Sequence, residues 1–204
     1  MLPGGDGGPD FQPFVRRIWQ NALPDGYLIA QLVAPKWDER QFQQLVWPTE
    51  SNAYPAMKFS TEAFANAVVA DVAKQHRLDS RCVLSLAWSS GGPAAYALSL
   101  APGTRVTGSF IAMSVFKLQQ LPPPAAAKGQ AYCLLHSPQD FIPLRMAETA
   151  RDTLAANGAS VQLQTYEGGH GWHGDVFGMI KEGIAWLEAH SADHSDPLTP
   201  KAEH

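Results

Sequence analysis

Short apolar and β-branched runs alternate along the chain with longer stretches whose apolar positions recur every three to four residues. Repeated strand–helix units around a parallel sheet produce this rhythm. Five runs read as strands, over 27–33, 83–87, 106–112, 131–136 and 161–166. Each is close to continuously apolar, as expected of a strand covered on both faces. Between the first two, Ser60 can cap a helix reaching about residue 76, with Phe64, Val68, Val69 and Val72 on one face. A second helix follows Pro143 and stops at Asn157-Gly158, residue types that tolerate a left-handed C-terminal position. A third starts near Asp175 and turns Phe177, Ile180, Ile184 and Leu187 inward. The expected fold class is α/β: a mostly parallel sheet with helices on both faces, one domain over 1–189 and a polar tail over 190–204. Pro122-Pro-Pro-Ala-Ala-Ala is a local connection, because strands of the same rhythm lie on both sides.

The sharpest chemical signal lies where the second strand run meets a helix-compatible segment, at Ala87-Trp88-Ser89-Ser90-Gly91-Gly92. A strand–turn–helix junction lifts a serine hydroxyl out of a sheet, provided the flanking positions are small enough for strand and helix to approach. Ala87 and Gly91 meet that demand around Ser89. Taking Ser90 instead would put bulky Trp88 where a small residue is needed. By itself the motif also fits a helix-capping serine.

Two later loops change the picture. The fourth strand run leads into His136-Ser-Pro-Gln-Asp140-Phe-Ile-Pro143, and the fifth into Tyr166-Glu-Gly-Gly-His170-Gly-Trp-His173. Singly, Asp140 reads as a turn residue and His170 as a solvated loop histidine. Together, Ser89, Asp140 and His170 stand at the carboxyl ends of successive strands in the order Ser, Asp, His, which suits nucleophile, orienter and base. Ser89 attacks a carbonyl, His170 takes and returns its proton, and Asp140 orients the imidazole. The glycine-rich start, Met1-Leu-Pro-Gly-Gly-Asp-Gly-Gly, is the source of an oxyanion hole. Backbone N–H groups of Gly5 and Ser90 are the assigned donors. A phosphate loop is the competing reading, but no Gly-Lys-Ser/Thr ending follows the glycines.

Composition removes other classes. Across 204 residues, 45% are hydrophobic and 17% charged, so the chain can build a core; disorder and collagen-like repeats are excluded. Fifteen basic against nineteen acidic side chains give a net charge of −4, with no broad basic surface for nucleic acid or anionic lipid. No apolar run approaches the ~20 residues of a membrane helix, and the first residues lack the parts of a signal peptide. The chain therefore reads as a soluble domain acting on small molecules, with localisation unspecified. Cys82 and Cys133 sit in apolar runs and suggest no disulfide framework. His173 and Asp175 near His170 make a poor metal site without further converging ligands, so neither metal nor cofactor is expected. Trp37, Trp47, Trp88, Phe141 and Trp172 lie in or near loops on the presumed active face; Trp37, Trp88, Phe141 and Trp172 are the candidate substrate-pocket residues, with core packing as the alternative for each.

The segments Ala87-Trp-Ser89-Ser-Gly-Gly, His136-Ser-Pro-Gln-Asp140-Phe-Ile-Pro and Tyr166-Glu-Gly-Gly-His170-Gly resemble α/β-hydrolase serine esterases. The resemblance is to the compact branch of phospholipase/carboxylesterases, dienelactone-hydrolase-like proteins and polyhydroxybutyrate-depolymerase-like esterases, and it runs from residue 2 to about 189. Leu2-Pro-Gly-Gly-Asp-Gly stands where that family has a His-Gly-x-Gly-like loop. Pro3 replaces the usual histidine and Ala87 the first elbow glycine. The resemblance implies a carboxylesterase working through an acyl-enzyme. A peptidase, a thioesterase or a silent binding domain are the alternatives. The connection over 113–128, where related hydrolases insert a cap, is short, which suggests an open site for short acyl esters. In the resembled fold, a strand between 27–33 and 83–87 leads into the oxyanion loop, and here only Met1 and Leu2 stand in its place. A fragment of a longer polypeptide is the expectation; direct pairing of 27–33 with 83–87 in a smaller sheet is the alternative.

Overall fold

A computed structural model describes residues 1–191; the expected tail from residue 192 onward lies outside the described residues. Four parallel strands form one sheet in the order β1-β2-β3-β4: β1 Leu84–Trp88, β2 Gly108–Ala112, β3 Ala131–His136 and β4 Ser160–Thr165. Their chain order equals their spatial order, so each connection is a crossover carrying a helix or a packed loop over a face of the sheet. β2 and β3 are buried at every position, as interior strands of a covered sheet must be. β4 is the far edge and only half-buried, which corrects the expectation that every strand is covered on both faces. Its sequence reflects this: Val161 and Leu163 pack on the core between glutamines.

The helices are α1 Gln12–Ala22, α2 Gln41–Gln44, α3 Thr61–Gln75, α4 Gly92–Leu100, α5 Arg145–Ala156 and α6 Val176–His190. Ser60 caps α3 by accepting from Ala63 N–H, and Asp175 caps α6 by accepting from Gly178 N–H. Pro13 and Pro93 fall in the first turns of α1 and α4, where a missing N–H costs nothing. One face of the sheet packs against α4 and α5 with Ala65 of α3, around Ala87, Ile111, Tyr132 and Leu134. The opposite face packs against α1 and α6, around Leu86, Trp88, Phe110, Cys133 and Leu135. α4 packs on the sheet through Ala94, Ala95 and Ala97, all buried and none larger than a methyl group.

The expectation of a fifth strand over 27–33 is corrected. The segment is extended but has almost no ladder, and it does not pair with β1. Met1 and Leu2 lie between the two instead. Leu32 N–H donates to Met1 C=O at 3.0 Å, while Leu2 N–H donates to Leu86 C=O at 2.9 Å and Leu2 bridges Ala87 in parallel. Two residues supply too few hydrogen bonds to make 27–33 a strand. α1 has no counterpart among the elements expected from sequence. Its buried Val15, Ile18 and Ala22 recur at helical spacing, but Arg16, Arg17 and the preceding glycine run mask that stripe.

Candidate active site

β1 ends in the feature that defines the site. Trp88 is still extended, but Ser89 turns to φ +50°, a left-handed conformation uncommon outside glycine. The chain passes through the Ser89–Gly91 turn and enters α4, leaving the Ser89 hydroxyl projecting from the junction. Sterics fix the next two residues. A Cβ on Gly91 would lie 2.1 Å from Leu2 C=O, and one on Gly92 2.0 Å from Ser114 Oγ. Ser114 Oγ in turn donates to Ser89 C=O at 2.8 Å, tying the turn to the end of β2.

The loops after β3 and β4 complete a relay. Ser89 Oγ lies 3.0 Å from His170 Nε2, and His170 Nδ1 lies 3.0 and 2.9 Å from the two Asp140 carboxylate oxygens. An ionised carboxylate only accepts, so the proton belongs on Nδ1 and Nε2 is left to accept from Ser89. The Asp140 carboxylate is fully buried and also accepts from Ile142 N–H at 2.8 Å, which fixes its plane. Ser89 and His170 remain partly open to solvent, as groups meeting a substrate require.

Further residues hold the two loops together. Ser137 Oγ accepts from Gln139 N–H in its own loop and from Gly169 N–H in the histidine loop, both at 3.1 Å. The Tyr166 hydroxyl shares its proton between Gly169 C=O at 3.0 Å and Gly171 C=O at 2.8 Å, gripping the loop on both sides of His170. Burial, then the nearby Asp140 charge, push this phenol up to about 12, so it stays a donor. The Tyr166 ring stacks on His173, which fills the space over Gly168, where a Cβ would meet the imidazole at 2.5 Å. His173 is therefore part of the loop packing. Asp175 is engaged as the α6 cap, and among the described residues no group of His, Cys, Asp or Glu side chains converges to hold a metal ion.

The glycine-rich start lies against Ser89. A Cβ on Gly4 would come within 3.0 Å of Ser89 Cβ, and Ser90 Oγ donates to Gly5 C=O at 2.8 Å. Gly5 adopts φ +59°, and neither its N–H nor that of Ser90 is engaged by another described residue. Where Pro3 offers no side-chain hydrogen bond, Trp47 Nε1 donates to Pro3 C=O at 3.0 Å and anchors the loop from the core.

The four aromatic candidates separate. Phe141 is 77% exposed, and its ring centre lies 4.4 Å from that of His170. Trp88 is buried in a cluster with Phe11, Phe14 and Trp172, beside the Ser89–Gly91 turn. Trp37 packs edge-on against Phe59 and makes no ring contact with the triad residues. The 113–128 connection contributes only two short turns, Leu118–Gln120 and Pro124–Ala127, and buries Phe116 against Tyr96. Sequence reasoning missed Ser114, Ser137, Phe11 and Phe14; Trp47, which it placed near the active face, is buried and anchors the Pro3 loop. Only Tyr166, two residues before the Gly168-Gly169 pair, carried a signal, as an aromatic beside a loop that must be held.

No protein-family model and no curated sequence matches this chain. Among solved structures, esterase PE8 superposes with a TM-score of 0.67 at 16% identity, covering 91% of this chain and 90% of that one. A variant of Arabidopsis thaliana SOBER1 superposes at 0.64 with 17% identity, over 93% and 96% of the two chains. The Bacillus cereus carboxylesterase superposes at 0.60 with 14% identity, over 93% and 86%. At such identities the likeness is one of architecture, and with the parallel sheet and strand order above it shows that this chain has the α/β-hydrolase fold.

Proposed function

We propose that this chain is a serine carboxylesterase acting on short-chain acyl esters through an acyl-enzyme. The observation that carries this reading is the continuous Ser89–His170–Asp140 relay, with the nucleophile on a left-handed turn. His170 Nε2 takes the Ser89 proton as Oγ attacks the ester carbonyl carbon. Negative charge gathers on the carbonyl oxygen, where the unengaged Gly5 and Ser90 N–H groups stabilise it. The imidazolium, steadied by Asp140, then protonates the departing alkoxide. Water repeats the sequence on the acyl-enzyme, giving up its proton to His170 and releasing the carboxylic acid and Ser89.

The ester preference rests on three supports. The 113–128 segment packs down on Tyr96 and forms no cap, which leaves little apolar surface for a long acyl chain. Phe141 stands exposed beside His170, placed to cover a small alcohol or acyl group. Two of the superposed structures are of a carboxylesterase and an esterase. No residue of the proposed chemistry calls for a cofactor. Hydrolysis of acetyl, butyryl and dodecanoyl esters of one chromogenic alcohol tests the reading. The two short esters should turn over faster; faster dodecanoyl hydrolysis, or none of the three, would overturn it.

A further inference from the structure

In the esterase reading, on which this inference rests, the ester is divided among three groups. Its acyl carbon meets Ser89 Oγ and its carbonyl oxygen meets the Gly5 and Ser90 N–H groups. Its departing oxygen must meet His170 Nε2, which lies 3.0 Å from Oγ and carries the proton that the alkoxide needs. The leaving oxygen therefore comes within about 3 Å of Nε2, and the first carbons of the alcohol sit beside the imidazole. A side chain that selects the alcohol has to border His170.

Phe141 borders it. The two ring centres are 4.4 Å apart with their planes tilted by 39°, and among the described residues no other aromatic ring meets His170. The histidine loop offers no bulk of its own there, since Gly169 and Gly171 flank His170. The residues on either side of Phe141 fix where its ring points. Asp140 N–H donates to Ser137 C=O at 3.1 Å, and the Asp140 carboxylate is buried. Ile142 is buried, its N–H donates to that carboxylate at 2.8 Å, and its C=O accepts from His136 Nε2 at 2.8 Å. With both neighbours turned inward, the side chain between them faces solvent, and Phe141 is 77% exposed. A single exposed phenylalanine is ordinary on a protein surface. This one presents an apolar ring beside the base, at the point where an alcohol has to leave.

We propose that Phe141 forms the alcohol subsite and that this subsite takes a flat apolar ring, such as that of a benzylic alcohol. Aromatic rings attract one another at centre separations of about 4.5–7 Å, beyond what burial alone gives, and a ring one carbon from the leaving oxygen falls within that reach of Phe141. The subsite serves both directions of the reaction. Once the acyl group is on Ser89, an alcohol lying against Phe141 competes with water. Its hydroxyl gives its proton to His170 Nε2 while its oxygen bonds to the acyl carbon, and the bond from that carbon to Oγ breaks as the imidazolium returns the proton to Ser89. An ester is formed and the free serine is restored, with no other reactant consumed. A saturated ring of the same carbon count buries a similar area but cannot stack, so the subsite separates the two alcohols.

The test uses the acetyl-enzyme, which every acetate ester shares. With a chromogenic acetate as donor and equal benzyl alcohol and cyclohexylmethanol as acceptors, the two acetate esters formed and the free acetate released are measured together. The parent chain should acetylate benzyl alcohol in preference to cyclohexylmethanol by about fivefold. Phe141→Trp should keep that preference, whereas Phe141→Leu, apolar but not flat, should bring it down to about one. Phe59→Ala removes an exposed ring that packs on Trp37 and Phe64, and it should leave the ratio at the parent value. A product ratio does not depend on how much of each variant is folded, so misfolding cannot imitate the result. Free acetate without any benzyl preference, or the same preference in the parent and in Phe141→Leu, would overturn the alcohol subsite and leave the esterase reading standing. No acetate release by the parent would overturn the esterase reading and the subsite with it.

Discussion

The two ends of β1 are built to different degrees of completeness. At its carboxyl end, Ser89, His170 and Asp140 are bonded in sequence, and their loops are held by Ser114, Ser137 and Tyr166. Toward its amino end, Leu84 C=O and Leu86 N–H face a slot and find no partner among the described residues. Buried polar groups are costly unless paired, so the carboxyl end can hold a fixed geometry for chemistry while the amino end leaves ladder bonds unmade. The proposed chemistry and the unpaired backbone therefore occupy separate ends of one strand, and perturbing one end should leave the other's property largely intact.

The largest test of that separation is Ser89→Ala, expected to lower kcat by at least about ten-thousandfold while Tm stays within a degree or two of the parent. A comparable loss from a slot variant such as Val72→Lys, and not from Ser89→Ala, would break the comparison. Asp140→Asn should cost on the order of 10³–10⁴ in kcat, because an amide stabilises neither the Nδ1–H tautomer nor the imidazolium. Tyr166→Phe removes the donor to Gly169 and Gly171 and should lower kcat by about tenfold, with KM changing less because no substrate contact is lost. Ser89→Gly, inactive, should gain up to about 1 kcal/mol in denaturant unfolding, since glycine relieves the +50° turn. If the glycine variant is less stable than Ser89→Ala, the turn stores no strain.

Legibility in the sequence followed the same division. The sheet was readable from β1 to β4 because each strand is an apolar run bounded by turn residues, and the span read for β3 coincides with that observed. That Ser89, Asp140 and His170 come together could be read because loops at the carboxyl ends of parallel strands converge, so chain order and residue type stood in for three-dimensional contact. Ser114 and Ser137 carried no such mark: a serine bonding a backbone group of another loop resembles any turn serine until the loops are folded. The 27–33 run has strand-like composition, yet strand formation depends on a partner, and only Met1 provides one. α1 escaped notice because its stripe is three residues wide and its exposed face is basic and polar.

The smallest prediction concerns the amino end. The unfolded Met1 amine, near 8, holds its proton at pH 6 to 7, whereas the folded amine, held down to about 5, does not. The unfolded state therefore binds more protons in that window, and stability should rise with pH between about 5 and 8. N-terminal acetylation should remove this contribution. Identical slopes for the acetylated and free chains would show that burial of this amine is not felt in folding.

The central claim is that Ser89, activated by His170, is the nucleophile, and the most direct measurement is mass-spectrometric mapping of the adduct left by a serine-reactive fluorophosphonate. The adduct should map to Ser89, vanish in Ser89→Ala and His170→Ala, and persist in Ser90→Ala. An adduct on Ser90, or no labelling of the folded parent chain, would contradict it.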